Sequence, residues 1–100
     1  MRQIYIVNAT QVVTSASHPE GLYSVVSGYP KTFDSYATHT EDNPNGDEEY
    51  ALRMAKSEYY ARLSANYASN NRAMWTVTLE RADGRTIMRE CIGAFPDMTP

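Results

Sequence analysis

One hundred residues and 11.3 kDa make one small domain, since domains usually run to about 100–150 residues; no room is left for a cofactor domain beside a substrate domain. A hydrophobic fraction of 42%, a charged fraction of 21%, five Gly and five Pro exclude a disordered or fibrous chain. Nine Lys and Arg against twelve Asp and Glu, net −3, argue against a nucleic-acid partner, whose phosphates would need neutralising.

The acidic surplus is local. Residues 41–71 hold six acidic and three basic side chains, while the stretches on either side are balanced; such a run reads first as a solvated helical face and second as a surface for a basic partner. Cys91 is the only cysteine, so the domain rests on its core rather than on an internal disulfide. That usage fits a reducing compartment, and the cytoplasm is the default placement. The apolar run near the start breaks at Asn8, too early for a signal-peptide core, and no stretch approaches the roughly 18 apolar residues of a membrane span.

Gln3 to Thr14 reads as a strand apolar on both faces, with Ile4, Ile6 and Val12 alternating against Tyr5, Val7 and Val13. Leu22 to Ser27 is a shorter strand between the turn signals His18-Pro19-Glu20-Gly21 and Gly28-Tyr29-Pro30. A hairpin through the Pro19 loop would join the two.

The stretch Gly28 to Gly46 allows two readings. Lys31 to Thr38 alternates well enough for an extra strand, with Phe33, Ser35 and Ala37 on one side. As a long loop it would be functional, because structureless loops of that length are uncommon in compact domains otherwise. Tyr29, Lys31, Asp34, Tyr36 and His39 then supply the mixture of aromatic and polar groups found at recognition sites. These five are the candidate binding residues.

From about Asp47 to Ala68 the period becomes helical. Ala55, Tyr59, Leu63 and Tyr67 fall within about 60° of Leu52 at 100° per residue, with Tyr60 at the margin. Asp47, Glu48 and Glu49 suit the positive end of the helix dipole, Gly46 or Asp47 can cap it, and Ser69-Asn70-Asn71 can stop it. Met54, Ala61, Ala65 and Ala68 make the opposite face of the helix partly apolar.

Ala73 to Arg81 places Trp75, Val77 and Leu79 on one face, and Arg85 to Gly93 follows Ala82-Asp83-Gly84. Asp-Gly between strand-like runs marks a hairpin. A two-residue turn sets Met88 opposite Leu79 and Ile92 opposite Trp75; a turn with Gly84 as the bulge residue sets Ile87 and Cys91 there. Periodicity does not choose between them.

The order β-β-(β)-α-β-β predicts an α+β fold of two layers, an antiparallel sheet of four or five strands packed by one long amphipathic helix. One helix covers one sheet face. The open face, or the apolar back of the helix, therefore invites a second copy of the chain or another protein.

No motif specifies chemistry. Glu41, Asn43, Asn45 and Gly46 superficially match a calcium loop, but Leu52 stands where the bidentate carboxylate belongs. His18, His39 and Cys91 match no zinc spacing, and Cys91 in a strand reads as a small core hydrophobe. The Asn43-Pro44-Asn45-Gly46 turn runs into three carboxylates, which would repel phosphate. Arg72, Arg81, Arg85 and Arg89 beside Trp75 outline a basic platform, yet Glu80, Asp83 and Glu90 among them favour cross-strand ion pairs. The sequence thus points to a non-catalytic interaction module that self-associates, without metal or cofactor. The alternative is a small enzyme or ligand-binding domain with a pocket under residues 28–46 and His39 or His18 as proton carrier.

Overall fold

A computed structural model describes residues 2–13, 17, 19–67 and 73–92. Five strands and one long helix form the expected two layers, in the order β1 (Ile4–Val13), β2 (Leu22–Val25), β3 (Lys31–Asp34), a 3-10 turn (Ser35–Thr38), α1 (Glu48–Tyr67), β4 (Ala73–Arg81) and β5 (Thr86–Ile92). All strand pairs are antiparallel.

β1 is the spine of the sheet. Along one side it pairs continuously with β4, from Tyr5 opposite Arg81 to Val13 opposite Ala73. Along the other side two short strands share its length: β3 pairs Ile4 to Val7, and β2 pairs Thr10 to Val13. Residues 26–30 bridge them opposite Asn8 and Ala9. There the Val26 amide donates to the Ala9 carbonyl at 2.8 Å and the Tyr29 amide to the Val26 carbonyl at 3.1 Å. The 28–46 segment is therefore neither all strand nor all loop. Lys31 to Asp34 extends the sheet; Asp34 then accepts from the Tyr36 amide and turns the chain into the 3-10 turn, an Asx-type bond that competes with further pairing.

The C-terminal hairpin uses both registers considered for it. At the turn the Arg81 amide donates to the Arg85 carbonyl and the Gly84 amide to the Arg81 carbonyl, with Gly84 at φ 93° as the bulge residue. A second irregularity between Leu79 and Glu80 then shifts the ladder by one, so that Met88 faces Leu79 and Ile92 faces Trp75. The shift brings two apolar side chains onto the helix-covered face.

The core is the odd side of β1 and β4, with Tyr5, Val7, Ala9, Trp75, Val77 and Leu79 joined by Ile92 and by Ala51, Ala55, Tyr59 and Leu63 of the helix. The helical stripe is turned slightly from the expected one: Ala51 and Asn66 are buried, Leu52 is half-buried and Tyr60 is exposed. Ala51 and Ala55, lacking bulk, let the helix close on a sheet face that carries Tyr5 and Phe33. Asp47 caps the helix by accepting from the Tyr50 amide at 3.2 Å.

Among the described residues no helix lies on the even side of the sheet. Cys91 lies there, opposite Thr76 and exposed, with its Sγ 3.6 Å from the Thr76 hydroxyl. It is not the core hydrophobe expected of it, because the ladder that buries Ile92 turns its neighbour outward. Trp75 is buried on the helix side and forms no stacking platform with Arg81, Arg85 and Arg89; Arg72 lies outside the described residues. Arg81 pairs with Glu48 of the helix at 3.5 Å. Among the described residues no helix is long and apolar enough to cross a membrane.

Candidate binding groove

The polypeptide between β3 and α1 is tied down at Ser35, which is fully buried. Its amide donates to the Gln3 carbonyl at 2.9 Å, its hydroxyl accepts from the Gln3 amide at 2.9 Å and donates to the Asn45 carbonyl at 2.8 Å. The Thr38 hydroxyl donates to the Ser35 carbonyl and accepts from the Asp47 amide at 2.7 Å. Gly46 passes directly against this hub at φ +75°; a Cβ there would sit 1.6 Å from the Ser35 carbonyl oxygen. Only glycine fits both the left-handed backbone and the contact.

Between this fixed turn and the start of the helix runs an open groove of about 190 Å³. It is lined by Thr32, Phe33, Asp34, Ala37, Tyr50, Ala51 and Met54. Tyr50 is 40% and Met54 41% exposed, one helical turn apart on the same side of α1. Arg53 lies over the Tyr50 ring, 5.5 Å from its centroid, so one rim is cationic, while the Asp34 carboxylate at the other end is paired with Arg2. The lining is apolar, aromatic and thioether, a surface that adapts to an apolar side chain.

The five candidate residues lie in this segment but separate into two clusters. Asp34, Tyr36 and His39 gather about Arg2. The Arg2 guanidinium donates to both Asp34 oxygens and lies 4.8 Å from the Tyr36 ring centroid, while the His39 ring stacks on Tyr36 at 3.9 Å. The bond from Arg2, followed by that from the Tyr36 amide, holds the Asp34 carboxyl below its ordinary value. The His39 Nδ1 meets the Tyr36 carbonyl at 2.7 Å; no carboxylate faces its ring among the described residues.

Tyr29 and Lys31 instead converge on Glu58 of the helix. The Tyr29 hydroxyl donates to Glu58 at 2.6 Å, and the Lys31 Nζ lies 2.7 Å from the same oxygen. Burial, reinforced by the bond to Glu58, pushes the Tyr29 phenol up to about 12; Lys31 and then Tyr29 hold Glu58 below the usual carboxylate range. Arg62 lies 5.9 Å from both the Tyr29 and Trp75 ring centroids and donates to Asn66 at 2.9 Å. The buried Asn66 Nδ2 has no acceptor among the described residues. This second cluster fastens the strand lane to the helix and closes one flank of the core.

Sequence reasoning missed Arg62, and missed Arg2 and Glu58, whose partners lie about 30 residues away in the chain; it also missed Phe33, Tyr50 and Met54 as a common surface. The exposure of Met54 was legible; its neighbours were not. His18 lies outside the described residues. Among the described residues no group of three His, Cys, Asp or Glu could hold a metal ion. A wider hollow of about 510 Å³, lined by Arg2, Gln3, Ile4, Ala82 and Asp83, opens at the end of the sheet and brings no nucleophile and base together. No family model, curated protein or solved structure matches the chain.

Proposed function

We propose that this chain is a non-catalytic protein-interaction module that takes an apolar anchor side chain of a partner polypeptide into the groove between the β3 turn and α1. The observation that carries the reading is the exposure of Tyr50 and Met54 around a concave apolar floor made by Phe33, Ala37 and Ala51. Recognition energy concentrates where such anchors are desolvated. The backbone behind the groove is pinned by Ser35 and Gly46, which lowers the ordering cost of binding. The cationic rim at Arg53 favours a bound segment that carries an acidic group beside its anchor. A polypeptide fits better than a small polar substrate because the floor offers few hydrogen-bonding groups and, among the described residues, His39 has no carboxylate beside it to make an acid–base pair. The single free cysteine supports a reducing compartment, the cytoplasm by default, as the place where the module works.

The test is selection of phage-displayed random peptides on the protein and, in parallel, on Met54→Glu. The exposed helical position accepts Glu without loss of fold. Peptides with an aromatic or large aliphatic anchor should enrich on the wild type and not on the variant. Equal enrichment on both would refute the groove.

A further inference from the structure

The lane that β2 and β3 share is one edge of the sheet, and β5 is the other. Proteins protect such edges against pairing with further strands by charge, bulges or distortion. β5 carries Arg89 and Glu90 and faces a register shift. β3 carries Lys31 and Asp34. β2 carries no protection of this kind: from Gly21 to Pro30 no residue is charged, and Leu22, Tyr23 and Val25 are 52%, 67% and 45% exposed.

The backbone of β2 also has a definite polarity. Val26 donates inward to Ala9 while its carbonyl accepts from the Tyr29 amide; in step with that amide, Ser24 and Leu22 turn their amides and carbonyls toward β1, and Tyr23 and Val25 turn theirs outward. Pairing through outward groups fixes which residues of an added antiparallel strand can lie opposite.

We propose that two copies of this chain join edge to edge through β2, antiparallel about a two-fold axis at Ser24, extending the sheet across both copies. In this register Tyr23 of one copy exchanges both backbone hydrogen bonds with Val25 of the other, and the reverse, so both outward residues are used on each strand. Tyr23 and Val25 then form aromatic to β-branched cross-strand pairs on the open face. Ser24 faces its own counterpart. The occupant is a second copy because the strand, paired with itself in this register, sets no like charges opposite one another. Each chain is net −3, yet the paired stretch is neutral, and Glu20, the nearest charge, falls opposite Gly28 of the second copy. An isologous contact of this kind closes after two subunits and needs no other partner. It is independent of the groove, which lies at the other end of the lane.

A four-residue seam is small, so the dimer is weak, with dissociation on the order of 10–100 μM, and nearly insensitive to salt. Sedimentation velocity of the full chain up to about 500 μM, well above that range, reads it directly. Wild type should shift from monomer to dimer, and Tyr23→Pro, which removes an outward amide and the paired ring but no bond to β1, should remain monomeric with an unchanged circular dichroism spectrum. Tyr23→Lys, which restores edge protection, should also raise the dissociation constant at least tenfold, and it keeps the test valid where the proline variant fails to fold. For the register, Ser24→Cys and Tyr23→Cys are each made in a Cys91→Ser background. Ser24→Cys should form an intermolecular disulfide at least tenfold faster, because its Cα atoms face each other across a non-hydrogen-bonded pair. Wild type monomeric throughout, a dimer untouched by Tyr23→Lys, or faster cross-linking at position 23 would each overturn the proposal. None of these outcomes bears on peptide binding at Met54.

Discussion

Gly46→Ala is the substitution that most sharply tests the rigidity of the groove wall. The added Cβ would lie 1.6 Å from the Ser35 carbonyl oxygen and 2.4 Å from its carbon, at φ +75°. The left-handed backbone alone costs an L-residue about 1–2 kcal/mol. Relieving the overlap means parting the two segments by well over an ångström, enough to break the Ser35 bond to Asn45 and the Thr38 bond to Asp47. Each lost bond costs about 0.5–1.5 kcal/mol, and more where a buried group such as Ser35 is left unpaired. A total of about 3–5 kcal/mol follows, a large part of the roughly 5–15 kcal/mol that holds a domain folded. Gly84→Ala is the internal control: Gly84 has φ +93° but open space around it, so it pays only the backbone cost of about 1–2 kcal/mol. Urea unfolding followed by fluorescence of Trp75, the one tryptophan, measures both. Equal losses for the two variants, or a loss below about 1 kcal/mol for Gly46→Ala, would show that the turn yields and that the wall is not held as described.

Two further expectations concern the Glu58 cluster. Since the Tyr29 phenol is pushed up to about 12, the difference titration at 295 nm between wild type and Tyr29→Phe should show one phenol ionising well above the ordinary value near 10; a difference centred near that ordinary value would contradict the buried bond to Glu58. Its raised value gives stability that is present below the unfolded value and is lost as pH rises through the folded one. Glu58 works in the opposite sense. Its folded value is lowered by Lys31 and Tyr29, so its contribution is present above the unfolded carboxylate value of about 4.3 and is lost as pH falls through the folded one. Lys31→Met should flatten the fall in stability on acidification, by about 1 kcal/mol or less because the lysine is half exposed. An unchanged acid limb in urea titrations would show that the ion pair does not form.

The elements most legible in the sequence were those with a strong local period. Alternation over Gln3 to Thr14 and helical spacing from Ala55 to Leu63 placed the spine strand and the covering helix, and Asp83-Gly84 placed the last hairpin. What local pattern cannot carry is a choice made at long range. The one-residue shift near Leu79 is decided by the burial of Ile92 and Met88 under a helix some 30 residues upstream, so neither simple hairpin register described the whole ladder. The division of residues 28–46 was set by Asp34, whose side chain reaches both Arg2 and the Tyr36 amide. A period-two reading has no term for a carboxylate that ends its own strand. The candidate residues were correctly confined to one segment, but alternate residues of a strand face opposite sides, and this sent Lys31 to the helix and Asp34 to Arg2. Tyr50 and Met54 carried only a weak signal, two large apolar side chains off the helical stripe.

The central claim is that the groove at Phe33, Ala37, Tyr50 and Met54 is a docking site for polypeptide. The most direct measurement follows the Met54 methyl resonance by NMR while a peptide enriched on the wild type is added. Saturable shifts at Met54, Ala37 and the Tyr50 ring, with intermolecular contacts to the anchor side chain of the peptide and no binding to Met54→Glu, are the predicted result. A peptide that binds with its contacts elsewhere, leaving Met54 unmoved, would contradict the account.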